Sequence, residues 1–167
     1  MDTINLRFKY TQSEYVKADR KYLLASKTIS KANIIFVAAF FVFSVVYLLL
    51  SSFSGAGIFA CTAAVIAGMI GCVLYFLTPA QKFKSYAKFQ EEYSLAFSVD
   101  GISFKTSTVG SELKWDIYLE AWECHDFYFL IQASRTYTLI PKRAFASAAE
   151  MKDFEYLIAS KMKLLQV

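Results

Sequence analysis

Residues 32–81 contain no aspartate, glutamate, lysine, arginine or histidine. The absence of any charged residue from a stretch of this length argues against an ion pathway, a proton relay or a transporter built within it. The whole chain has one histidine and three cysteines, and no Cys-x-x-Cys pair. Neither a zinc site nor a disulfide framework can be assembled from that set. Cys61 and Cys72 fall inside the uncharged stretch and Cys124 beyond it, a pattern of free thiols that suits a cytosol-facing domain. No glycine-rich loop that could cradle phosphate is present, since Gly55 and Gly57 sit in a turn. The net charge of +4 is too weak to argue for nucleic acid. Basic residues beside an apolar stretch have a simpler use at an anionic lipid surface.

The stretch lies between Lys31 and Lys82. About eighteen or more consecutive apolar residues read as a membrane span, and this run is long enough for two. The small, turn-prone sequence Ser51-Ser52-Phe53-Ser54-Gly55-Ala56-Gly57 interrupts it. The expectation is a transmembrane helical hairpin over 32–79, with spans at 32–50 and 58–78, the second ended by Pro79. A soluble core hairpin would need a polar face somewhere. Arg7, Lys9, Lys17, Arg20, Lys21, Lys27 and Lys31 precede the hairpin, Lys82, Lys84 and Lys88 follow it, and its turn is uncharged. The positive-inside rule then puts both ends in the cytoplasm and the turn outside. The charged segment ahead of the first span is too long for the n-region of a cleaved signal peptide.

In the N-terminal segment, 1–31, Ile4, Leu6, Phe8 and Tyr10 alternate with Asn5, Arg7 and Lys9, which predicts a half-buried strand. Thr11-Gln12-Ser13-Glu14 matches a capping box and predicts a helix over 12–26. Tyr15, Ala18, Tyr22 and Ala25 form its apolar face. That helix is read first as one docked on the protein. The alternative is an interfacial helix with Lys17, Arg20, Lys21 and Lys27 at lipid headgroups.

Phe36, Phe40, Phe43 and Tyr47 share one face of the first span. In the second, Ala60, Ala64, Gly68 and Cys72 recur every fourth residue, the small-residue spacing that lets backbones approach in lipid. They are candidate helix-packing residues against the first span, with homodimerisation as the alternative. Phe83, Tyr86, Phe89 and Tyr93 with Lys82, Lys84 and Lys88 suggest an amphipathic juxtamembrane helix. These lysines are candidate headgroup contacts.

The region 80–167 then turns to period two. Tyr93, Leu95, Phe97 and Val99 alternate, Asp100-Gly101 signals a hairpin, and Ile102, Phe104 and Thr106 return. Residues 108–112 are expected as a loop, followed by a strand on which Leu113, Trp115, Ile117 and Leu119 alternate, with Trp115 in the core. His125-Asp126 turns the chain, 127–133 forms an apolar strand, Ser134-Arg135 a tight turn, and 137–140 the last strand. A second capping box, Ser147 to Glu150, opens a helix whose apolar face is Met151, Phe154, Leu157, Ile158, Met162 and Leu165. The fold class expected is an α+β membrane protein: a two-helix hairpin with a cytosolic antiparallel sheet closed by a C-terminal amphipathic helix.

At these residues the chain resembles the YcxB-like family of small bacterial membrane proteins. The resemblance rests on the short strand and helix, the apolar hairpin, Gly101 after a turn, Trp115 opening a strand, an apolar strand after it, and Leu139-Ile140-Pro141-Lys142-Arg143-Ala144-Phe145 before the final helix. The tail is similar to bacterial pleckstrin-homology-like domains. The resemblance implies an architecture in the bacterial inner membrane and no reaction.

Cys124-His125-Asp126 is the one cluster that suggests a nucleophile or metal site. Neighbours in a strand point to opposite faces, so Cys124 and His125 would not converge, and a hairpin turn is the better reading. Lys142 and Arg143 could contact anionic headgroups in the manner of lipid-binding pleckstrin-homology domains, or simply form a charged turn. The function expected is that of a non-enzymatic membrane-anchored module, without cofactor or nucleic acid, whose cytosolic domain binds a protein or lipid partner. The alternative is an immunity protein neutralising a toxin at the membrane. A lipid-modifying enzyme would need polar catalytic groups at membrane depth.

Overall fold

The computed structural model describes residues 3–51, 53–132 and 136–167. The chain divides into two compact units, Met1–Thr11 with Tyr86–Val167, and Gln12–Ser85. The expected turn at Ser134-Arg135 lies outside the described residues.

The first unit is built of strands β1 (Ile4–Lys9), β2 (Glu92–Phe97), β3 (Ile102–Lys105), β4 (Gly110–Leu113), β5 (Tyr118–Glu123), β6 (Phe127–Gln132), β7 (Tyr137–Pro141) and β8 (Lys163–Gln166). They form two four-stranded sheets, in the orders β1-β2-β3-β4 and β7-β6-β5-β8. The period-two pattern of β1 does what the physics requires: Ile4, Leu6 and Phe8 are buried and their neighbours exposed. They face Phe97, Leu95 and Tyr93 across the β1–β2 register, and the Phe8 and Tyr93 rings stack at 5.6 Å. The Asp100-Gly101 turn joins β2 to β3, with Ser98 N–H donating to the Gly101 carbonyl at 2.9 Å. A Cβ on Gly101 would meet the Leu113 carbonyl oxygen at 2.8 Å, so close approach rather than a left-handed φ demands glycine here.

Three expectations are corrected in this unit. Residues 110–113 are strand β4, paired with β3, rather than loop. Trp115–Ile117 is a 3-10 turn rather than strand, because the Trp115 Nε1–H donates to the Ser98 carbonyl at 3.0 Å and holds the chain at a corner. Trp115 is half-buried there, while Trp122 is buried. A bulge between Tyr118 and Glu120 then resets the alternation, so Tyr118 and Ala121 point inward and Leu119 is exposed. Finally, the last strand is not β7. After helix α5 (Ala148–Lys161) the chain adds β8 parallel to β5, with Leu165 opposite Trp122. Leu165 therefore belongs to a sheet, not to the helical face.

Helix α5 begins as its sequence asks. Ser147 Oγ accepts from Glu150 N–H at 3.1 Å, and the Glu150 carboxylate reaches back to Ala146 N–H at 2.7 Å. Phe154 is fully buried and touches Phe97 of one sheet at 4.9 Å and Tyr128 of the other at 5.4 Å. One aromatic ring thus joins the two sheets in a shared core.

The second unit contains α1 (Gln12–Ala25), α2 (Lys31–Leu50), α3 (Gly55–Cys72), a π-helical turn (Val73–Leu77) and α4 (Thr78–Ser85). Ser30 Oγ caps α2 by accepting from Asn33 N–H at 3.0 Å, and Ser54 Oγ caps α3 by accepting from Gly57 N–H at 3.3 Å. These two hydroxyls satisfy orphan donors at both helix starts. Ser44, Thr62 and Thr78 return their hydroxyls to carbonyls of their own helix, so each side-chain donor is satisfied without a partner from another element. α2 and the continuous helix Gly55–Ser85 are both long and apolar enough to cross a membrane.

Pro79 does not end the second apolar helix, which runs on to Ser85. The helix accommodates it by widening. The amphipathic segment expected after it is also shorter: regular helix stops at Ser85, and Ala87–Gln90 is a separate 3-10 turn.

Candidate functional site

The site grows out of Pro79. In an α-helix the residue at 79 would donate its N–H to the carbonyl of Tyr75, but proline has no N–H and its ring crowds that carbonyl. The chain answers with the π-helical turn Val73–Leu77, in which Thr78 N–H reaches Val73 O. Such turns are frequent where a helix carries out a function. The Tyr75 carbonyl is taken by a side chain from α1: Arg20 Nε donates to it at 3.1 Å. The Arg20 guanidinium also lies 5.1 Å from the Tyr75 ring centroid and 5.2 Å from that of Phe76, within cation–π range.

α1 is held against α4 by two further contacts. Tyr15 meets the Phe83 ring at 5.7 Å, and Lys82 Nζ lies 3.6 Å from a carboxylate oxygen of Asp19, whose side chain is 4% exposed. A buried carboxylate needs a cation and hydrogen bonds beside it, and Lys82 supplies the charge. Between α1 and the π-helical turn runs a groove of about 370 Å³ lined by Ser13, Val16, Lys17, Arg20, Lys21, Leu24 and Tyr75. Three cations at 17, 20 and 21 share this wall with apolar Val16 and Leu24.

The residues expected at headgroup level are therefore not equivalent. Lys82 is engaged with Asp19. Lys84 is exposed. Lys88 lies over the Tyr86 and Phe89 rings at 5.6 and 5.0 Å. Lys142 is bound to Glu123 at 2.6 Å and sits 4.8 Å over the Tyr128 ring, and Arg143 donates to the Lys9 carbonyl at 2.8 Å. These last two hold the Leu139–Phe145 segment to β5, β6 and β1. In the small-residue line, Ala64 is buried, Ala60 and Gly68 are half-buried, and Cys72 is exposed. α3 also approaches α2 tightly at Gly57, where a Cβ would stand 3.0 Å from Leu48 Cα; at Gly68 it would meet nothing within 4 Å.

Cys124-His125-Asp126 forms a turn, with Cys124 N–H donating to Phe127 O at 2.8 Å. The Cys124 side chain is buried, while His125 projects into solvent, 3.0 Å from Asp126. Among the described residues no three His, Cys, Asp or Glu side chains gather as metal ligands. The shifted titrations lie in the first unit and are structural. Burial pushes the Tyr93 hydroxyl up to about 12, and burial with the Glu155 hydrogen bond raises Tyr128. Hydroxyls of Thr106, Ser107 and Thr108 hold the Glu91 carboxyl below its ordinary range.

Sequence reading named Lys17, Arg20 and Lys21 but not their partner. The signal was present in the spacing: a proline four residues after Tyr75 leaves that carbonyl open, and an arginine on a neighbouring helix can close it.

These features define an α+β chain with two long apolar helices and two largely antiparallel sheets. Residues 97–158 match the family model described as YcxB-like protein, which covers β3 to β7 and most of α5. No curated protein and no solved structure matches the chain.

Proposed function

We propose that this chain is a membrane-anchored, non-enzymatic module. In this reading α2 and the helix Gly55–Ser85 cross the bacterial inner membrane, both termini are cytoplasmic, and the strand-rich unit is a pleckstrin-homology-like domain that binds a protein or lipid partner. Helix α5 closes its sheets through Phe154, Leu157 and Ile158. The observation that carries the proposal is exposure. In the most apolar windows of the two helices only 6% and 11% of residues are buried, and Leu50, Phe59 and Phe36 are 81%, 76% and 70% exposed. Soluble monomers rarely expose contiguous apolar patches beyond a few hundred Å², whereas hydrocarbon covers such a surface without penalty. The length agrees, since a helix of about twenty residues rises about 30 Å, the thickness of a bilayer core.

The test is extraction of membranes from expressing cells with alkaline carbonate. The chain should remain in the pellet and dissolve only with detergent. Release by carbonate alone would contradict the anchor, and chemical crosslinking in the same membranes then identifies what the strand-rich unit contacts.

A further inference from the structure

We infer that the groove between α1 and the π-helical turn is a binding site for the headgroup of an anionic phospholipid. The inference rests on the membrane reading above and adds the ligand. Three observations converge on it. The groove offers three cations on one wall, Lys17, Arg20 and Lys21, and an apolar strip of Val16 and Leu24. A ligand that matches both must carry negative charge on an apolar stem, which a phospholipid does and a free phosphate does not.

Depth is the second observation. Tyr75 lies twenty residues beyond Gly55, about 30 Å along a helix, so it stands where the hydrocarbon core gives way to headgroups. Tyrosine and arginine are residues of that boundary. The third is construction. Arg20 is fixed by the Tyr75 carbonyl at 3.1 Å and by two aromatic rings, so one cation of the wall is positioned before any ligand arrives. Preorganisation of this kind lowers the entropy lost on binding. The facing leaflet is the cytoplasmic one, which carries anionic lipid.

The experiment uses the full chain purified in detergent, with retained lipid measured by native mass spectrometry after adding dioleoyl phosphatidylglycerol or dioleoyl phosphatidylcholine. Phosphatidylglycerol should be retained in preference. Lys17→Gln with Lys21→Gln leaves Arg20 in place and should weaken retention about thirtyfold, the loss expected for two basic residues at an anionic lipid surface. Lys105→Gln with Lys114→Gln removes the same charge from exposed positions of the other unit and should change nothing. Excess glycerol phosphate should not displace the lipid. Equal retention of the two lipids, or unchanged retention in the Lys17/Lys21 variant, would overturn the inference. So would equal loss in the Lys105/Lys114 variant, or displacement by glycerol phosphate, which would make the ligand a soluble phosphate. If the protein resists carbonate extraction and still fails here, the groove assignment falls and the anchor stands.

Discussion

Arg20 is the residue on which local chemistry turns. It replaces, from another helix, the hydrogen bond that Pro79 removes from the Tyr75 carbonyl. A hydrogen bond involving a charged group contributes about 1.5–3 kcal/mol when buried; Arg20 is only half-buried, and about 1 kcal/mol is a fair discount. Arg20→Met keeps the stem and deletes the donor, so it should lower the unfolding temperature in detergent. In a Pro79→Ala background the alanine N–H can serve the same carbonyl, and the loss from Arg20→Met should fall by more than half. Equal losses in both backgrounds would mean that the guanidinium acts through the Tyr75 and Phe76 rings alone.

At the scale of elements, α3 meets α2 closely at Gly57, and of the Ala60-Ala64-Gly68-Cys72 line Ala64 is buried while Gly68 has open space beside it. Gly57→Leu drives a side chain into the Leu48 backbone, and such overpacking costs about 1–3 kcal/mol. Gly68→Ala meets open space and gains helix propensity of about 1 kcal/mol. Thermal melts in detergent should show a fall for the first and no fall for the second; the opposite order would return the packing to the Gly68 line. The sequence made both long helices legible because apolar length and missing charge are local properties. It also made β1, β2 and α5 legible, through alternation and a capping box. What it hid was non-local. On paper Leu113, Trp115, Ile117 and Leu119 continue one alternation, and only the bond from Trp115 to the Ser98 carbonyl bends the chain out of it. β8 is four residues long, carries no turn signal, and exists because β5 offers it an edge. Pro79 read as a stop because its usual effect is local, while the π-helical turn and Arg20 that absorb it are not visible in periodicity. In the groove, the cations of α1 were legible as a charged face; Tyr75 as their partner was not.

At the scale of the molecule, a long uncharged hairpin separates two groups of basic residues. Lys17, Arg20, Lys21, Lys27 and Lys31 lie before it, and Lys82, Lys84 and Lys88 lie after. In the proposed reading, charge of that sign on both flanks would hold both ends in the cytoplasm, with the turn between the two helices on the far side. The most direct measurement is labelling by a membrane-impermeant thiol reagent in a chain whose Cys61, Cys72 and Cys124 have been replaced. Cysteine in place of Ser54 should be labelled in intact cells, or in spheroplasts where an outer membrane intervenes. Cysteine in place of Ser147 should be silent until the inner membrane is opened. Labelling of Ser147→Cys with silence at Ser54→Cys would invert the orientation, and labelling of both only after lysis would contradict a hairpin that crosses the membrane.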